Sequence, residues 1–585
     1  MNSAANSECS TTVEAVLAIW HEVLKPGDGR LDADSNFFLC GGDSLDLMRV
    51  LVRVRERLGV ELDLREVGSF STPRRMARRC VRSHQPHVAG KPDHVGERTP
   101  VTADASVPAR FACSTGQRAL WYAENLGGGA LYNTAVLLHI RGALQVPVLA
   151  RALGLLLRQH EVLRCRLRPE PPEYRLIAEV VARCDVALEA VNVHPDDVRR
   201  ILIEAAAQPF DLERGPLWRF HLLQSGERHW TLLFCLHHAV TDGWSGSVLL
   251  HHLAEAYKAL LLDSDWQPHG IDTEFRRWSL RQRSEADADT SWWRKYLAGA
   301  DSLASWPPTG ATRWPFTMAC VEEPLPRPIN LAVQQLTRSR QLRPAALFLA
   351  ALRLALLEVA GIGELCIGMP VNVRDGSAQD AAVGYFVNLV VLREPVGATN
   401  ERAEDGRWSG HQHGIATVRR IQHALDDALR HRTVPFADLA QALRPALLPS
   451  GNAWCDVLYA FQNLPRVQPE FGDVDVRIEA LAMPRGQHPL KVEVLCGAGM
   501  GQDLNAALNV DSDSNLDAHV GASSCTGVGA VFGKSASTAA RATTEAYALR
   551  IEYARECLAP ADVRALLDAM QCQLAALAAG PACSS

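Results

Sequence analysis

The sequence predicts a small all-helical unit followed by a larger α/β unit that divides into two lobes. Apolar residues recur at helical spacing between residues 12 and 82, whereas β-like apolar runs alternate with long helical patterns from about residue 111 onward. A polar segment with no periodicity, residues 84–107, separates the two regions and is interpreted as a linker. The chain of 585 residues exceeds what one hydrophobic core usually organises, so several structural units are expected.

The composition argues against several classes of partner and site. A formal net charge of −6 gives no basic field that would hold a phosphate backbone, so no nucleic-acid partner is expected. The N-terminus lacks the pattern of a secretory signal, and no run of about 18 apolar residues occurs, so we expect no membrane partner. The fifteen cysteines form no C-x-x-C pair, which favours reduced thiols in a cytoplasmic protein over a zinc ribbon or a disulfide framework.

The first unit, residues 1–83, has two clear helical patterns. "TVEAVLAIWHEVL" and "SLDLMRVLVRVRERLG" both repeat apolar residues at helical spacing, and Gly59 ends the second. Ser44 follows a two-glycine turn at the start of that second helix, where unpaired N–H groups and the helix dipole favour a bound phosphate group. On position alone, an ordinary serine helix cap is the alternative.

The stretch from Thr12 to Arg82 resembles a peptidyl carrier domain of nonribosomal peptide synthetases. The resemblance rests on "FF" followed by "GGDSL", on an apolar helix ending in "LG", and on "FSTPRRMA" at the start of the last helix. It implies a four-helix fold in which Ser44 carries a 4'-phosphopantetheine arm as cofactor. A phosphopantetheinyl transferase would attach that arm, and an upstream synthetase module or a trans-acting adenylation enzyme would charge it.

The second unit contains a pair of adjacent histidines in "LHHAVTDGW", residues 236–244. The preceding "HWTLLFCL" is typical of a buried strand, and Ser245 or Ser247 is expected to cap the helix that follows. If the strand continues through the histidines, His237 and His238 point to opposite faces and cannot share one ligand. We therefore expect no metal site here.

The histidine motif and four further motifs resemble the condensation domains of the same synthetases. In chain order the other motifs are "STGQRALWYAEN" at 114, "RQHEVLRCRL" at 158, "VGYFVNLVVLR" at 383 and "HRTVPFADL" at 431. The resemblance implies two chloramphenicol-acetyltransferase-like lobes, an N-terminal lobe at 108–285 and a C-terminal lobe at 286–580. Cys165, Leu167 and Val373 depart from the usual Thr, Phe and Gly, which bears on substrate choice more than on the reaction.

The resemblance also implies roles for individual residues. His238 would position an amine or accept its proton in a tunnel between the lobes, whereas His237 would pack on the opposite face. Asp242 would pair with Arg164, because a buried charge needs a partner. The backbone N–H of Gly243 is a candidate for stabilising an oxyanion.

The implied function is condensation of a thioester donor with an amine, free or carrier-bound, to form an amide bond. If Met1 and Ser585 are the natural ends, this step would also release the product. Two alternatives stay open, namely ester formation with an alcohol acceptor and a non-catalytic docking or recruitment role.

Two segments of the second lobe carry separate predictions. The run "AALFLAALRLALLEVAG" from Ala345 is interrupted by Arg353 and Glu358, so it predicts a buried helix and not a membrane span. Residues 501–543 are small, polar and aperiodic, which predicts a flexible insertion between strands.

Overall fold

The computed structural model describes most of the chain between residues 2 and 578. The N-terminal unit is described at 2–24, 31–35, 37, 50–51, 53–55, 57–60, 62 and 72–83. The α/β unit is described at 109–578 except for 171–174, 183, 283–285, 301–302, 304–305, 309–313, 375–376, 394–410, 444, 446, 449, 463–469 and 498–545. Ser44, the linker at 84–107 and the insertion at 501–543 therefore lie outside the described residues.

The N-terminal unit is helical wherever it has regular structure in the described residues. Helices α1 (Asn2–Leu24) and α2 (Pro73–Ser83) pack together, and further helical residues lie between 50 and 58. Their apolar faces meet in one core because the apolar side chains repeat at helical spacing. This core contains Val16, Trp20, Phe37, Val54 and Met76, all fully buried.

The N-terminal lobe alternates strands and helices. Its strands are β1 (Arg110–Ala112), β2 (Asn133–Arg141), β3 (Cys165–Glu170), β4 (Arg175–Val180), β5 (Ala190–Asn192), β6 (Trp218–Gly226) and β7 (His229–His237). Its helices are α3 (Thr115–Ala123), α4 (Val146–Gln159), α5 (Pro195–Ala206), α6 (Gly243–Leu262) and α7 (Glu274–Arg281). Short helical turns lie at Glu124–Gly128, Glu161–Arg164 and His238–Val240.

The C-terminal lobe has the same alternating organisation. Its helices are α8 (Ala286–Tyr296), α9 (Arg327–Arg340), α10 (Pro344–Ala360), α11 (Ser377–Asp380), α12 (His411–Arg430), α13 (Phe436–Leu443) and α14 (Pro560–Ala578). Its strands are β8 (Phe316–Pro324), β9 (Cys366–Asn372), β10 (Val387–Arg393), β11 (Val457–Gln462), β12 (Asp475–Ala480), β13 (Arg485–Gly486), β14 (Leu490–Gly497) and β15 (Ala546–Ala554).

Three sheets organise the two lobes. The N-terminal lobe holds a three-stranded sheet in the order β1-β4-β3 and a five-stranded sheet in the order β12-β2-β7-β6-β5. The C-terminal lobe holds a seven-stranded sheet in the order β10-β9-β11-β14-β15-β8-β13. Helices α10, α12 and α14 pack together in this lobe, and their buried side chains form one core with those of the strands.

Helix α10 confirms the buried-helix prediction. Every residue from Ala346 to Leu356 is buried, including Arg353, whose Nη2 donates to the carbonyl oxygen of Leu392 at 3.2 Å. No helix in the described part of the chain has the length and apolar content needed to cross a bilayer.

Strand β12 does not follow the predicted division into two consecutive lobes. Its residues lie within the range assigned to the C-terminal lobe, yet β12 pairs antiparallel with β2 of the N-terminal lobe, with Ile478 opposite Leu138. The alternation of residues along a strand does not reveal which strand it pairs with. The prediction therefore missed that β12 covers the open edge of the N-terminal sheet.

Candidate active site

A cavity of about 460 Å³ is lined by side chains from both lobes. The N-terminal lobe contributes α3, the start of β2 and the turn after β7, whereas the C-terminal lobe contributes β10, α13 and one face of its large sheet. Residues from four of the motifs line it, namely Thr115, His238, Tyr385, Asn388, Pro435 and Phe436. An enclosed, mainly apolar space with a few polar groups is the usual form of a small-molecule site.

His238 lies at the point where β7 ends, and it lines the cavity. Its backbone N–H donates to the carbonyl oxygen of Tyr132 at 2.8 Å, which continues the β2–β7 pairing for one more residue. Its Nδ1 lies 3.0 Å from the carbonyl oxygen of Thr241. Because a carbonyl oxygen only accepts, the neutral ring carries its proton on Nδ1, and Nε2 keeps the lone pair. This tautomer suits a ring that accepts a proton through Nε2.

His237 is fully buried and faces away from the cavity lining. The N–H of Ala239 donates to its Nδ1 at 3.1 Å, so the proton of the neutral ring sits on Nε2, which lies 3.2 Å from Oε1 of Glu124. Burial lowers the pKa of His237, and the hydrogen bond and charge of Glu124 only partly oppose that effect. The strand ends at His237 instead of continuing through both histidines, yet the two rings still have different surroundings.

Asp242 pairs with Arg374 and not with Arg164, which corrects the expected ion pair. Nη1 of Arg374 lies 2.8 Å from Oδ2 of Asp242, and both side chains are almost completely buried. Oδ2 also accepts the N–H of Phe386 at 2.9 Å, and Oδ1 accepts the N–H of Ser245 at 2.7 Å. Burial opposes ionisation of Asp242, but the charge and hydrogen bonds of Arg374 outweigh it and lower the pKa.

Arg164 satisfies backbone carbonyl groups elsewhere in the N-terminal lobe. Its Nε donates to the carbonyl oxygen of Leu157 at 3.1 Å, near the end of α4, and its Nη1 donates to Val181 at 2.8 Å, just after β4. A guanidinium is well suited to this task, because it offers five donors in a fixed plane. Arg164 therefore ties a helix end to a strand end.

The start of α6 also differs from the prediction. The helix begins at Gly243, and the carboxylate of Asp242 caps it, whereas Ser245 and Ser247 lie inside its first turns. The hydroxyl of Ser245 donates to the carbonyl oxygen of Gly384 at 2.9 Å and accepts the N–H of the same residue at 3.0 Å. The oxyanion role of Gly243 stays a prediction.

Gly384, in the motif "VGYFVN", has no room for a side chain. A Cβ atom there would lie 2.2 Å from the ring of Phe275 in α7. Together with the hydrogen bonds from Ser245 and the Arg374–Asp242 pair, this contact holds the segment before β10 against the N-terminal lobe. The motif "VGYFVNLVVLR" at 383 thus serves the junction of the lobes as well as the cavity.

The first motif supports the turn that carries His238. Ser114 and Gln117 form a capping box at the start of α3, and Nε2 of Gln117 donates to the carbonyl oxygen of Ala239 at 2.9 Å. Thr115 in turn donates to Oδ2 of Asp438, in the motif "HRTVPFADL" at 431, at 3.3 Å. The three motifs are therefore connected by hydrogen bonds around the cavity.

Arg374 and Asn133 are two residues that sequence reasoning missed. Each lies where a strand meets a turn. Arg374 follows β9 in "PVNVRD", and Asn133 is the first residue of β2, opposite His237. Nδ2 of Asn133 donates to the carbonyl oxygens of Ala206 and Gln208 at 2.7 and 2.8 Å, while its buried Oδ1 has no hydrogen-bond partner among the described residues. Asn133 also lines the cavity. A polar residue where a buried strand meets a turn was the available signal for both.

His488 is a second histidine of the cavity lining, and we expect it to make stability depend on pH. Burial lowers its pKa from 6.5 to about 4, and its Nδ1 lies 3.2 Å from the carbonyl oxygen of Cys455. Between pH 6.5 and 4 the unfolded chain therefore binds a proton that the folded chain does not, so stability falls as the pH drops. His488→Asn, which keeps a donor, should show a smaller loss of melting temperature across this window, measured by calorimetry. An unchanged loss would contradict the prediction.

The three departures from the family pattern lie in different places. Cys165 and Leu167 are buried in the core of the N-terminal lobe, whereas Val373 lines the cavity. Among them, only Val373 is placed where its side chain can contact a substrate.

Comparisons with known proteins identify the family of each of the two units. The family model "Condensation domain" matches residues 110–484, and "Phosphopantetheine attachment site" matches 14–80. The chain is 27% identical over 467 residues to phosphinothricin tripeptide synthetase PhsB of Streptomyces viridochromogenes, which covers 77% of this chain but 37% of that protein. The chain thus spans little more than a third of that relative.

Two solved structures share the fold. The first condensation domain of the calcium-dependent antibiotic synthetase, in complex with a substrate analogue, covers 81% of this chain and 97% of its own, with a TM-score of 0.61 at 18% identity. The X-domain from teicoplanin biosynthesis covers 82% and 97%, with a TM-score of 0.62 at 18% identity.

These matches confirm the predicted fold class and the predicted cofactor, because the attachment-site model spans Ser44 and the condensation model spans the histidine motif. Condensation domains are acyl-transferring enzymes. The chain therefore belongs to the condensation-domain family of nonribosomal peptide synthetases and carries a phosphopantetheine carrier domain ahead of the condensation domain.

Proposed function

We propose that this chain transfers an acyl group from a thioester donor to an amine acceptor, with His238 assisting the acceptor. The observation that carries the proposal is the place and tautomer of His238. It lines a cavity enclosed by both lobes, and Thr241 holds its Nδ1 so that Nε2 keeps the lone pair. The phosphopantetheine arm, when attached, supplies a thiol that holds the acyl group as an activated thioester.

In the proposed reaction the amine nitrogen attacks the thioester carbonyl carbon, a C–N bond forms and the C–S bond breaks. His238 accepts a proton from the nitrogen through Nε2 and can return it to the departing sulfur, so no other reactant is needed. The cavity contributes by holding nitrogen and carbonyl carbon within attack distance, which can supply much of the acceleration.

Asp242, Arg374 and His237 have supporting roles in this proposal. The Asp242–Arg374 pair joins the two lobes and so helps to set the shape of the cavity between them. His237, held by Glu124, packs beneath the turn that presents His238. These residues position the reacting group, and we do not assign them contact with the substrate.

The proposed partners follow from the carrier domain. A phosphopantetheinyl transferase would modify Ser44, an upstream module or a trans-acting adenylation enzyme would supply the acyl group, and the acceptor would be a free or carrier-bound amine. We further propose a cytoplasmic location, which is supported by free thiols such as Cys113, Cys165 and Cys455, all buried and unpaired by disulfides among the described residues.

Ser44 should accept phosphopantetheine from coenzyme A when a phosphopantetheinyl transferase is present. The sequence predicts that Ser44 follows a two-glycine turn at a helix start, a position that suits a phosphate-linked group. Intact-protein mass spectrometry should show one added phosphopantetheine group on the wild-type chain and none on Ser44→Ala. Modification of the Ser44→Ala variant would refute the assignment.

A further inference from the structure

Tyr132 connects the turn that carries His238 to the opposite lobe. It immediately precedes β2, and its backbone carbonyl oxygen accepts the N–H of His238 at 2.8 Å. Its own N–H donates to Oε1 of Glu124 at 3.3 Å, the same oxygen that lies 3.2 Å from Nε2 of His237. The backbone of Tyr132 is therefore bonded to His238 directly and linked to His237 through one shared carboxylate.

The side chain of Tyr132 reaches the C-terminal lobe. Its hydroxyl donates to Oε1 of Gln487 at 2.6 Å, and Gln487 directly follows β13, which pairs with β8 of the large sheet. Both residues line the cavity. Burial raises the pKa of the Tyr132 phenol, with smaller contributions from Tyr385 and Glu124, so the hydroxyl stays protonated and able to donate. The bond thus crosses from one lobe to the other within the lining of the cavity.

A row of hydrogen bonds fixes the acceptor that Gln487 offers to this hydroxyl. Nε2 of Gln487 lies 3.3 Å from Oδ1 of Asn452, and Nδ2 of Asn452 lies 3.0 Å from Oδ1 of Asp456. The same oxygen of Asp456 accepts the hydroxyl of Ser450 at 2.5 Å. Because Asn452 turns its NH₂ group to this oxygen, its own oxygen accepts from Gln487. The oxygen of Gln487 is then the atom that faces Tyr132, and both Asn452 and Asp456 are buried in the C-terminal lobe.

The two ends of Tyr132 therefore respond to each other. The phenol hydroxyl is held by the C-terminal lobe, whereas the carbonyl oxygen of the same residue holds the N–H of His238. A shift of one lobe relative to the other changes the pull on the ring, and the backbone passes that change to His238. Small displacements matter here, since a misplacement of about 1 Å between reacting groups can cost about 10²-fold in rate.

We infer that Tyr132 is a positioning residue that makes the placement of His238 depend on how the two lobes meet. The inference rests on the proposed condensation function and adds a form of regulation to the same site. With the lobes closed on the cavity, Gln487 holds the phenol and Tyr132 supports the turn at His238. When the lobes separate, the bond between them breaks and that support is lost. The proton acceptor is then in place only when the cavity is enclosed.

Rates of acyl transfer from the loaded carrier to an amine test this role. Tyr132→Phe removes only the hydroxyl and should lower kcat by about five- to tenfold, the usual contribution of one hydrogen bond, while KM for the amine stays within about twofold. In the His238→Ala background the same change should alter the residual rate by less than about twofold, because a residue that acts through His238 then has nothing left to position.

Tyr459→Phe is the matched control. This tyrosine is fully buried in the C-terminal lobe, outside the cavity lining, and its hydroxyl donates to the carbonyl oxygen of Ala345 at 2.7 Å. It loses a bond of the same kind, so its melting temperature should fall by a similar amount while kcat stays within about twofold of wild type. If Tyr132→Phe fails to fold, Gln487→Met breaks the same bond from the other lobe and should give the same loss of kcat.

Hydrogen–deuterium exchange provides a measurement that needs no chemistry. The Tyr132 carbonyl protects the amide of His238, so exchange of that amide should become about threefold faster or more in Tyr132→Phe and stay unchanged in Tyr459→Phe. Unchanged exchange in Tyr132→Phe, or a loss of kcat that persists in the His238→Ala background, would overturn the positioning role and leave the condensation function intact. Transfer that His238→Ala does not diminish would refute the proposed function instead, and the exchange rates would still decide whether Tyr132 controls His238.

Discussion

His238→Ala should reduce product formation by about 10²- to 10⁴-fold, the usual contribution of a positioned proton acceptor. The loss should appear in acyl transfer from the loaded carrier, measured by mass spectrometry of the product. Carrier loading and melting temperature should stay close to wild-type values, because His238 borders the cavity and is only partly buried. An alcohol acceptor should suffer more than an amine, since a neutral hydroxyl gains more from deprotonation than an amine with a lone pair available for attack.

His237→Ala is the matched control for that result. This ring is fully buried against Glu124, and its removal leaves a cavity and takes one hydrogen-bond donor from the buried carboxylate, so the main effect should be a lower melting temperature. Undiminished transfer by His238→Ala would refute the catalytic assignment. Absence of transfer by the wild-type chain to any amine or alcohol would favour a docking or recruitment role.

Arg374→Met should lower the free energy of unfolding by about 3 to 5 kcal/mol, because it leaves Asp242 charged and buried without its cation. Asp242→Asn, which keeps the helix cap, should be comparably destabilising because it isolates the guanidinium. The double variant should lose clearly less than the sum of the single losses, since one ion pair is broken in all three. Chemical denaturation of the four proteins measures the coupling energy.

Arg164 provides the control for this cycle. It bonds backbone carbonyl groups and shares no partner with Asp242, so Arg164→Met and Asp242→Asn should add to within about 0.5 kcal/mol. Strong coupling between Arg164 and Asp242, together with additive losses for Arg374 and Asp242, would restore the pairing first expected and refute the one described.

Features that depend on residues close together in the sequence were predicted correctly. The ion pair, which depends on two residues far apart in the sequence, was not. Strand β7 and helix α10 follow from apolar patterns within one segment, and both were predicted correctly. The partner of Asp242 could not be found in this way, because 132 residues separate it from Arg374 and a charge pattern does not say which arginine folds back. Family likeness pointed to the nearer Arg164. The sequence does contain one indication of this pair. Arg374 in "PVNVRD" follows a buried strand, and an arginine placed there needs a buried anion as its partner.

In the candidate site, too, some features could be predicted from a local motif and others depend on contacts between distant segments. His238 was identified from its motif, but its tautomer depends on the carbonyl oxygen of Thr241, and the cavity around it depends on side chains from the other lobe. Two charged residues of the cavity lining, Lys491 on β14 and Glu552 on β15, show no sign of their pairing in the sequence, because only strand register brings them together. Register is decided by tertiary packing as much as by local pattern.

The crossing of β12 has a consequence for the order in which this chain acquires structure during synthesis. Strand β2 is complete once residue 141 has been made, but the strand that covers its outer edge is not made until residues 475–480. At ordinary ribosomal rates the edge of β2 stays open for tens of seconds, long enough to recruit chaperones or a neighbouring nascent chain. A truncated gene product that ends between the lobes would expose this edge permanently. Separate expression of the N-terminal lobe should therefore require that the β12 segment be supplied with it.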